Sequence, residues 1–512
     1  MERVAPRQIM YENQLPLAIE SKSQRRLFYP EGASTYGPQG NAQGFSNIIR
    51  IPINADSLLD AQHSYLQFDI KNTTGNTAGY DFGVPVIRRL RIESAGTTLE
   101  DINNYNKLYG SVLLPAQGSV GAIKGANLSE MGMVSAAGTT ALSAVDAQTI
   151  VVPSTTAVND NATAINPVAS TEILAQINAT KDAIVASVHT DLADVKTKVD
   201  AGLAALKVKL DARTATNSGF LGAHEAANAH ANNSTLKVNV PLVSGLLNME
   251  KYLPLVMMNA GLVLELELGP ADDLGVKAGG SLNYEISNVR YVAHLIDLQR
   301  DFYDKLRMVM EGSGGVLQLT GSTFRNFSQN EPAAASTDYT INIPARVKSI
   351  KSIFFTMNQS GDDTHYNVGS AQPNGLTSYQ FRVGSVLYPP HKVQAGATNK
   401  GEPYMELRKA FGTLGDYQHG GVLLDGTSYY TAADKALATA GQAPVLTPFA
   451  LDFESFPKTA LENGINSADR SLPITLEIER NGGPNAASDV EVWVMCDAVF
   501  YVNLDGSVSV SI

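Results

Sequence analysis

Hydrophobic and polar residues alternate along many short stretches of this chain. In Ser64–Asn72 every second residue from Leu66 to Ile70 is apolar, and a similar alternation returns in Leu262–Gly269 and Leu472–Arg480. Successive side chains of a β-strand point to opposite faces of its sheet, so each stretch predicts a strand with one buried face and one wetted face. Many such strands joined by long loops are typical of antiparallel sandwiches and not of βαβ units.

A proline distinguishes the predicted strand around Ile49–Ile53. Its apolar residues alternate with Arg50, Pro52 and Asn54. Because proline has no backbone N–H to donate to a neighbouring strand, this strand is expected to lie at a sheet edge or to have interrupted pairing there.

The predicted elements occur twice in the same order, once between residues 46 and 298 and once between residues 315 and 512. This order predicts two copies of one β domain. The matched pairs are Ser64–Asn72 with Lys351–Asn358, Leu90–Ser94 with Phe381–Ser385, the helical stretches Glu100–Gly110 with Glu402–Gly412, Leu262–Gly269 with Leu472–Arg480, and Asn283–Leu298 with Asp489–Leu504.

The chain therefore divides into an arm and two domains. Residues 1–45 are polar and slightly basic, and they predict an extended arm with little core of its own. Two interpretations of the arm stay open: it grips a neighbouring subunit or an acidic polymer, or it is a solvated tail. Residues 46–311 and 312–512 are the two domains, and the glycine-rich run Gly312–Gly315 is interpreted as the linker between them.

An insertion at residues 115–235 interrupts the first domain and has no counterpart of equal length in the second. From about residue 172 to 212 apolar residues recur every eleven positions, as in Ile173, Ile184 and Val195. Eleven residues complete three helical turns, so the pattern predicts a helix about 60 Å long with a narrow apolar stripe. The stripe needs a partner. We favour self-association into a projecting bundle over packing against the chain's own surface or folding back as a hairpin.

Composition narrows the classes of function. The chain is 44% hydrophobic and 17% charged, which is typical of a globular protein, and its net charge of −12 argues against a dedicated nucleic-acid-binding protein. A single cysteine excludes an internal disulfide framework and favours synthesis in a reducing compartment. The sequence predicts neither a signal peptide nor a membrane-spanning stretch.

The histidine-containing motifs do not predict a metal site. His224 and His230 are six positions apart, whereas two zinc ligands on one helix face need a spacing of about four, and that position is Asn228. The run Gly361–His365 is interpreted as a solvated polar turn. We therefore predict no metal-binding and no cofactor-binding residues.

Two other candidate sites also have a structural interpretation. Cys496, between Met495 and Asp497 with no adjacent histidine, is interpreted as a strand thiol and not as a nucleophile. The basic run Arg88–Arg91 is interpreted as part of an ordinary strand, because Glu93 is near and no interleaved aromatics are present to stack on bases. We therefore predict no catalytic residues.

Three groups of segments carry a resemblance to a known family. With the duplication, they resemble the double jelly-roll major capsid proteins, above all those of Polinton-like viruses and virophages, and more distantly the adenovirus type. The resemblance covers most of residues 45–512 outside the insertion. The segments are the strand–helix–strand passage Val240–Leu247, Lys251–Leu255 and Leu262–Leu268, the strand Tyr291–Leu298 with the charged helix Gln299–Glu311, and the strands in Ile341–Ser352.

The resemblance implies a mainly β chain of two tandem eight-stranded antiparallel jelly rolls with a helical insertion in the first. It implies a non-enzymatic major capsid protein whose homotrimers form pseudo-hexagonal capsomers and tile the icosahedral shell of a double-stranded DNA virus. The expected partners are further copies of the chain, minor capsid and vertex proteins, and inner partners of the N-terminal arm. The expected location is the capsid shell of the virion, assembled inside the host cell, with residues 115–235 as an outward tower.

Two other functions stay open. One is a different non-enzymatic double β-sandwich protein, such as a phage fibre, an adhesin or a carbohydrate-binding module. Sugar binders usually present exposed Trp and Tyr clusters, whereas this chain has one tryptophan, Trp493, in a predicted strand. The other is an enzyme with the β domains as its scaffold, which would need a site assembled across distant loops.

Overall fold

The part of the chain that the computed structural model describes includes most of both predicted domains. The described residues are 21–41, 43–73, 78–80, 86–113, 178–186, 229–230, 232–249, 251–271, 275–276, 283–312, 314–331, 338–359, 371, 373–396, 398–413, 429, 447–455, 464–469, 472–481 and 488–512.

Strands dominate the described residues. The strands of the first half are β1 (Ser21–Phe28), β2 (Thr35–Tyr36), β3 (Ile48–Ile53), β4 (Leu58–Asn72), β5 (Ala78–Tyr80), β6 (Ile87–Ser94), β7 (Thr97–Asn103), β8 (Ala229–His230), β9 (Thr235–Val240), β10 (Leu253–Pro254), β11 (Leu262–Leu268), β12 (Gly275–Val276) and β13 (Tyr284–Leu298). Those of the second half are β14 (Val316–Glu331), β15 (Asp338–Ile343), β16 (Ile350–Gln359), β17 (Leu376–Val383), β18 (Val386–Gln394), β19 (Phe449–Asp452), β20 (Ile474–Arg480), β21 (Ser488–Asn503) and β22 (Val508–Ser511).

Helices are short and lie between strands. A π-helical turn covers Leu108–Leu113, and a 3-10 turn covers Leu255–Met257. The α-helices are α1 (Tyr105–Lys107), α2 (residues 178–186), α3 (Arg300–Gly312) and α4 (Gly401–Ala410).

Each half of the chain contains two large antiparallel sheets with the same strand order, and the first half also has a small sheet of order β12-β5-β8. In the first half one sheet has the order β1-β13-β4-β10, with β9 also pairing with β4, and the other has the order β3-β11-β6-β7. In the second half the corresponding orders are β14-β21-β16-β19 and β15-β20-β17-β18. Each half is therefore an eight-stranded jelly roll, as predicted. We call the halves the first roll and the second roll.

The duplication extends to the register of individual residues. Leu262 pairs with Ile53 in the first roll, and Ile474 pairs with Ile343 at the same place in the second. On the other side of the same central strands, Val263 pairs with Glu93, and Thr475 pairs with Arg382. Because one residue of slip would exchange the buried and exposed faces, a shared register means that both rolls bury the same alternating positions.

The core lies between the two sheets of each roll. In β11 and in β20 buried residues alternate with partly exposed ones, as the sequence pattern predicts. In the second roll the ring of Phe355 in β16 lies 5.2 Å from the ring of Tyr379 in β17, so side chains of the two sheets meet. Pro52 lies in β3, which is an edge strand among the described residues, so the edge position predicted for it is confirmed.

Part of the predicted N-terminal arm belongs to the first roll. Within the range 1–45, β1 pairs with β13 along its whole length, from Ser21 opposite Leu298 to Phe28 opposite Tyr291. Phe28 and Tyr36 are buried in the core. The first six side chains of β1 are exposed, so hydrogen bonding to β13 keeps this edge strand in the sheet without an alternating apolar pattern.

One predicted helix is wrong in its first half. Glu100 lies in β7, and the helical stretch predicted as Glu100–Gly110 begins only at Tyr105, because Asn104 adopts a left-handed conformation, with φ of 48°, and turns the chain. The matching prediction in the second roll, Glu402–Gly412, is confirmed by α4. The charged helix predicted at Gln299–Glu311 is confirmed by α3.

Several predictions fall outside the described residues. Of the predicted helix 172–212, only α2 is described, and it is helical, with the stripe residue Ile184 59% exposed. His224 and Gly361–His365 lie outside the described residues. Among the residues that are described, no helix is long and apolar enough to cross a bilayer.

Candidate functional site: the contact between the two rolls

The two rolls meet through buried polar side chains. Glu100, in β7, accepts hydrogen bonds from the backbone N–H groups of Gly245 and Leu246, each at 2.9 Å. The Glu100 carboxyl is buried, and loss of hydration raises its pKa, although hydrogen bonds from Thr323 of β14 and from the 244–246 turn act in the opposite direction. This carboxyl therefore links the turn of the first roll to the first strand of the second.

Glycine allows the backbones of the two rolls to approach each other at this turn. A Cβ added to Gly245 would lie 2.7 Å from the carbonyl oxygen of Ser322, and one added to Gly321 would lie 2.4 Å from the carbonyl oxygen of Gly245. Any larger residue at either position would force the strands apart, because the atoms that it meets belong to the backbone.

Replacing Gly245 with alanine is expected to lower the free energy of unfolding by about 1–3 kcal/mol, because the methyl group would overlap the backbone of β14. Urea titration followed by tryptophan fluorescence would measure the change. Gly401→Ala is the matched control, since a Cβ there meets no atom within 4 Å. Equal unfolding midpoints for the two variants would contradict the expectation.

A second polar contact is centred on Glu491 of β21. Its Oε1 lies 3.1 Å from Nζ of Lys107, and its Oε2 accepts hydrogen bonds from the carboxamides of Asn104 and Asn326, each at 3.0 Å. Asn104 also donates to Oδ1 of Asn326 at 3.1 Å. Asn104 and Lys107 belong to the first roll, and Asn326 and Glu491 to the second. We call these four residues the Lys107 cluster.

A third set of polar contacts lies within the second roll, close to the contact between the rolls. Nζ of Lys351 lies 3.3 Å from Oε1 of Glu454 and 3.5 Å from Oδ1 of Asp497. The hydroxyl of Ser349 donates to Oδ2 of Asp497 at 2.6 Å. Lys351 also donates to Ser322, the residue whose carbonyl faces Gly245, at 3.4 Å.

A fourth contact lies where Asn259 of the first roll meets the turn before β22. The backbone N–H of Asn259 donates to the carbonyl oxygen of Gly506 at 3.1 Å, and its carboxamide donates to the carbonyl oxygen of Asp505. Directional polar contacts at several separate points fix both the distance and the angle between the rolls. Apolar packing alone would define that distance and angle less strictly.

Charged residues on the outer sheet faces are paired within the chain. Glu265 lies between Arg50 at 3.5 Å and Arg91 at 3.6 Å, and Arg89 makes a two-point contact with Asp101 at 2.5 and 2.7 Å. The hydrogen bond to Asp101 raises the pKa of Arg89. The run Arg88–Arg91 lies in strand β6, as predicted, and two of its arginines, Arg89 and Arg91, pair with carboxylates of the same chain.

The second roll has glutamates at the corresponding outward positions, and the cations beside them come from β17, which matches β6, and from β18, which matches β7. Glu477 pairs with Arg382 at 2.7 Å, and Glu479 pairs with Lys392 and with the hydroxyl of Ser378. These contacts lower the pKa of Glu479 and raise that of Lys392. The outer faces of the two rolls therefore share a backbone but differ in the arrangement of charge.

The remaining sequence candidates have structural roles. Cys496 is buried in β21, with Sγ 3.7 Å from the carbonyl oxygen of Thr323, and burial raises the pKa of its thiol to about 12, so it is a strand thiol as predicted. Trp493 is fully buried. His230 lies in β8. Within the described ranges, no group of three or more His, Cys, Asp or Glu side chains has a geometry that could hold a metal ion.

Comparison with known proteins relates the chain to capsid structures. No family model matches the sequence, and no curated protein matches it. VP54 of PBCV-1, fitted into a cryo-EM reconstruction of the virophage Sputnik, matches with a TM-score of 0.54 and 9% identity over 98% of both chains. A quasi-atomic structure of the PBCV-1 virus capsid matches with a TM-score of 0.52, 9% identity and the same coverage. At this identity the likeness shows a shared fold, which is the double jelly roll described above.

Proposed function

We propose that this chain is the major capsid protein of an icosahedral double-stranded DNA virus, and that it has a structural and not an enzymatic role. The observation that carries the proposal is the pair of jelly rolls with one strand order, held together by buried polar contacts. The fold of the two rolls matches that of a capsid structure over 98% of both chains. The protein would act in the virion shell after assembly inside the host cell.

The duplicated fold suits such a role because three chains carry six similar rolls. A closed threefold ring of this chain would be a pseudo-hexagonal capsomer, and such units can tile a shell. The polar contacts between the rolls keep the two rolls of each chain at one angle, so every chain presents the same lateral surfaces to its neighbours. Minor capsid and vertex proteins are the further partners that we propose.

The first test is the mass of the purified protein. We expect light scattering to give a particle of three times 54.5 kDa, and negative-stain microscopy to show compact trimers or closed shells. A chain that stays monomeric in every assembly condition would contradict the proposal. A carbohydrate-binding role is disfavoured by the burial of Trp493, and glycan-array binding by a stable monomer would support it instead.

The insertion is proposed to form the outward tower of the capsomer, with the predicted 172–212 helix supplying a three-chain bundle. Deleting residues 120–227 and bridging the ends with a short Gly-Ser linker leaves β8 and β9 in place. We expect trimers and shells to persist without a surface projection in micrographs. If the first roll fails to fold after this deletion, the segment is part of its core and the tower assignment is wrong.

The proposed arm is reduced to residues 1–20, because β1 begins at Ser21 and belongs to the sheet. We propose that these residues contact inner partners or a neighbouring subunit in the shell. Deleting residues 1–20 leaves β1 in place, so a loss of shell stability in the shortened protein would come from the missing arm itself.

A further inference from the structure

The Lys107 cluster contains the groups that a self-catalysed amide exchange requires. A lysine amine and an asparagine carboxamide both contact one carboxylate where the two rolls meet. The carboxylate of Glu491 bridges the other two groups: Oε1 is 3.1 Å from Nζ of Lys107, and Oε2 is 3.0 Å from Nδ2 of Asn326. The nucleophile and the potential leaving nitrogen therefore contact the same proton carrier.

The cluster is also shielded from water. The side chain of Lys107 is 16% exposed and that of Glu491 is 3% exposed. Asn326 is held from a further side by the carbonyl oxygen of Val492, at 3.4 Å from its Nδ2. Burial excludes water that would compete for the reacting groups. The neighbouring side chains also hold these groups in one orientation, and such positioning is a large part of what speeds intramolecular reactions.

A fourth residue supplies the remaining element of the reaction. Asn104 donates from Nδ2 to Oδ1 of Asn326 at 3.1 Å. Negative charge develops on that oxygen when an amine adds to the carboxamide carbon, so a donor already aimed at it stabilises the transition state. This contact also selects Asn326 over Asn104 as the acceptor, because the carbonyl of Asn326 is the one that Asn104 polarises.

The geometry points to an isopeptide bond between Lys107 and Asn326 that joins the two rolls covalently. Nζ of Lys107, after giving a proton to Glu491, attacks Cγ of Asn326 and forms a new C–N bond. The Cγ–Nδ2 bond breaks. The lysine nitrogen gives up two protons in all, and both end on the leaving nitrogen, which departs as ammonium. Glu491 carries the protons and is unchanged at the end, so no oxidant, reductant or metal is needed.

The chain contains a matched control for this chemistry. Lys351 is also a mostly buried lysine between carboxylates, those of Glu454 and Asp497, at 3.3 and 3.5 Å. Its hydrogen-bonding partner at 3.4 Å is the hydroxyl of Ser322, which is not an electrophile. If burial beside a carboxylate were sufficient, both lysines would react. The proposed mechanism also requires a carboxamide, so it predicts a reaction at Lys107 and none at Lys351.

The test is the intact mass of the full chain, measured under denaturing conditions. We expect the mass to be lower than that calculated from the sequence by one ammonia. Tryptic digestion should yield a branched peptide that joins the segment containing Lys107 to the segment containing Asn326, with no cleavage after Lys107 and normal cleavage after Lys351. Lys107→Arg and Glu491→Gln should each restore the full calculated mass.

The role of Asn104 as the donor to the Asn326 carbonyl can be tested with a variant in which the bond should form more slowly. Asn104→Gly retains a residue that tolerates the positive φ of this position and removes the donor to Asn326. We expect the bond to form about 100-fold more slowly in this variant after refolding, as when one oxyanion donor is removed. Formation at the wild-type rate would remove Asn104 from the mechanism and contradict the proposal.

The wild-type protein decides the question even where a variant does not fold. A chain of full calculated mass with Lys107 recovered as free lysine overturns the proposal. So does a loss of ammonia that maps to a single asparagine with no branched peptide, which is ring closure of that residue, or a bond from Lys107 to Asn104, which would lie inside the first roll. As a second readout, a protease site placed at Ser313 should yield two halves that stay together on a denaturing gel.

Discussion

Replacing Lys351 with methionine is expected to lower the free energy of unfolding by about 3–5 kcal/mol. Methionine fills much of the same space, so the main change is that the carboxylates of Glu454 and Asp497 lose the cation between them. Both carboxylates are largely buried, and a buried charge without a partner costs far more than an exposed one. Guanidinium titration of the variant and the wild type would measure the difference.

Lys348→Met is the matched control for this prediction. Lys348 is exposed and three residues away, and its Nζ contacts the hydroxyl of Ser511 at 2.8 Å. Its replacement is expected to change the free energy of unfolding by less than about 0.5 kcal/mol, as is usual for surface positions. If both variants lost the same stability, the ion pairs of Lys351 would not support the second roll.

Replacing Phe355 with alanine is expected to lower the free energy of unfolding by about 3–5 kcal/mol, because it leaves a cavity at the centre of the second roll. The ring lies 5.2 Å from that of Tyr379 and 5.0 Å from that of Phe449, measured between ring centroids, and it is fully buried. Tyr252→Ala removes an aromatic ring that is 51% exposed, so it is the control.

Thermal unfolding followed by circular dichroism would compare the two variants. The expected result is a large drop in the midpoint for Phe355→Ala and a small change for Tyr252→Ala. Similar midpoints would mean that the aromatic cluster between β16, β17 and β19 is not the centre of this core.

The alternation of apolar residues was enough to predict the central strands of both rolls. β11 and β20 each turn one face to the core and leave the other partly exposed. That environment imposes a period of two on the sequence, and the period can be read without a structure. The order of the matched elements then predicted two copies of one domain.

Two of the strands that the pattern did not predict occupy the same place in both rolls. β1 and β14 each lie at the outer edge of a sheet, beside β13 and β21. Few of their side chains are buried, Phe28 in β1 and Leu319, Thr323 and Phe324 in β14. Backbone pairing holds such a strand whatever its side chains are, so its sequence is free to lack the alternation that marks inner strands.

The Lys107 cluster was beyond sequence reasoning for a different reason. Its residues come from the turn before α1, from α1 itself, from β14 and from β21, and no spacing along the chain connects them. Even the helix that carries Lys107 was predicted to begin at Glu100, whereas β7 continues to Asn103 and Asn104 makes the turn. Only the docking of one roll against the other brings the four side chains together.

The pairing of β1 with β13 sets an order of events during synthesis. Ser21, near the start of the chain, finds its partner in Leu298, so the first roll cannot close until the ribosome has passed that residue. Closing a longer loop costs little, about 0.6 kcal/mol for each doubling of its length. Time is the greater constraint, because strand edges that wait unpaired can join those of another nascent chain. We therefore expect slower translation across residues 115–235 to increase the fraction of chains that aggregate.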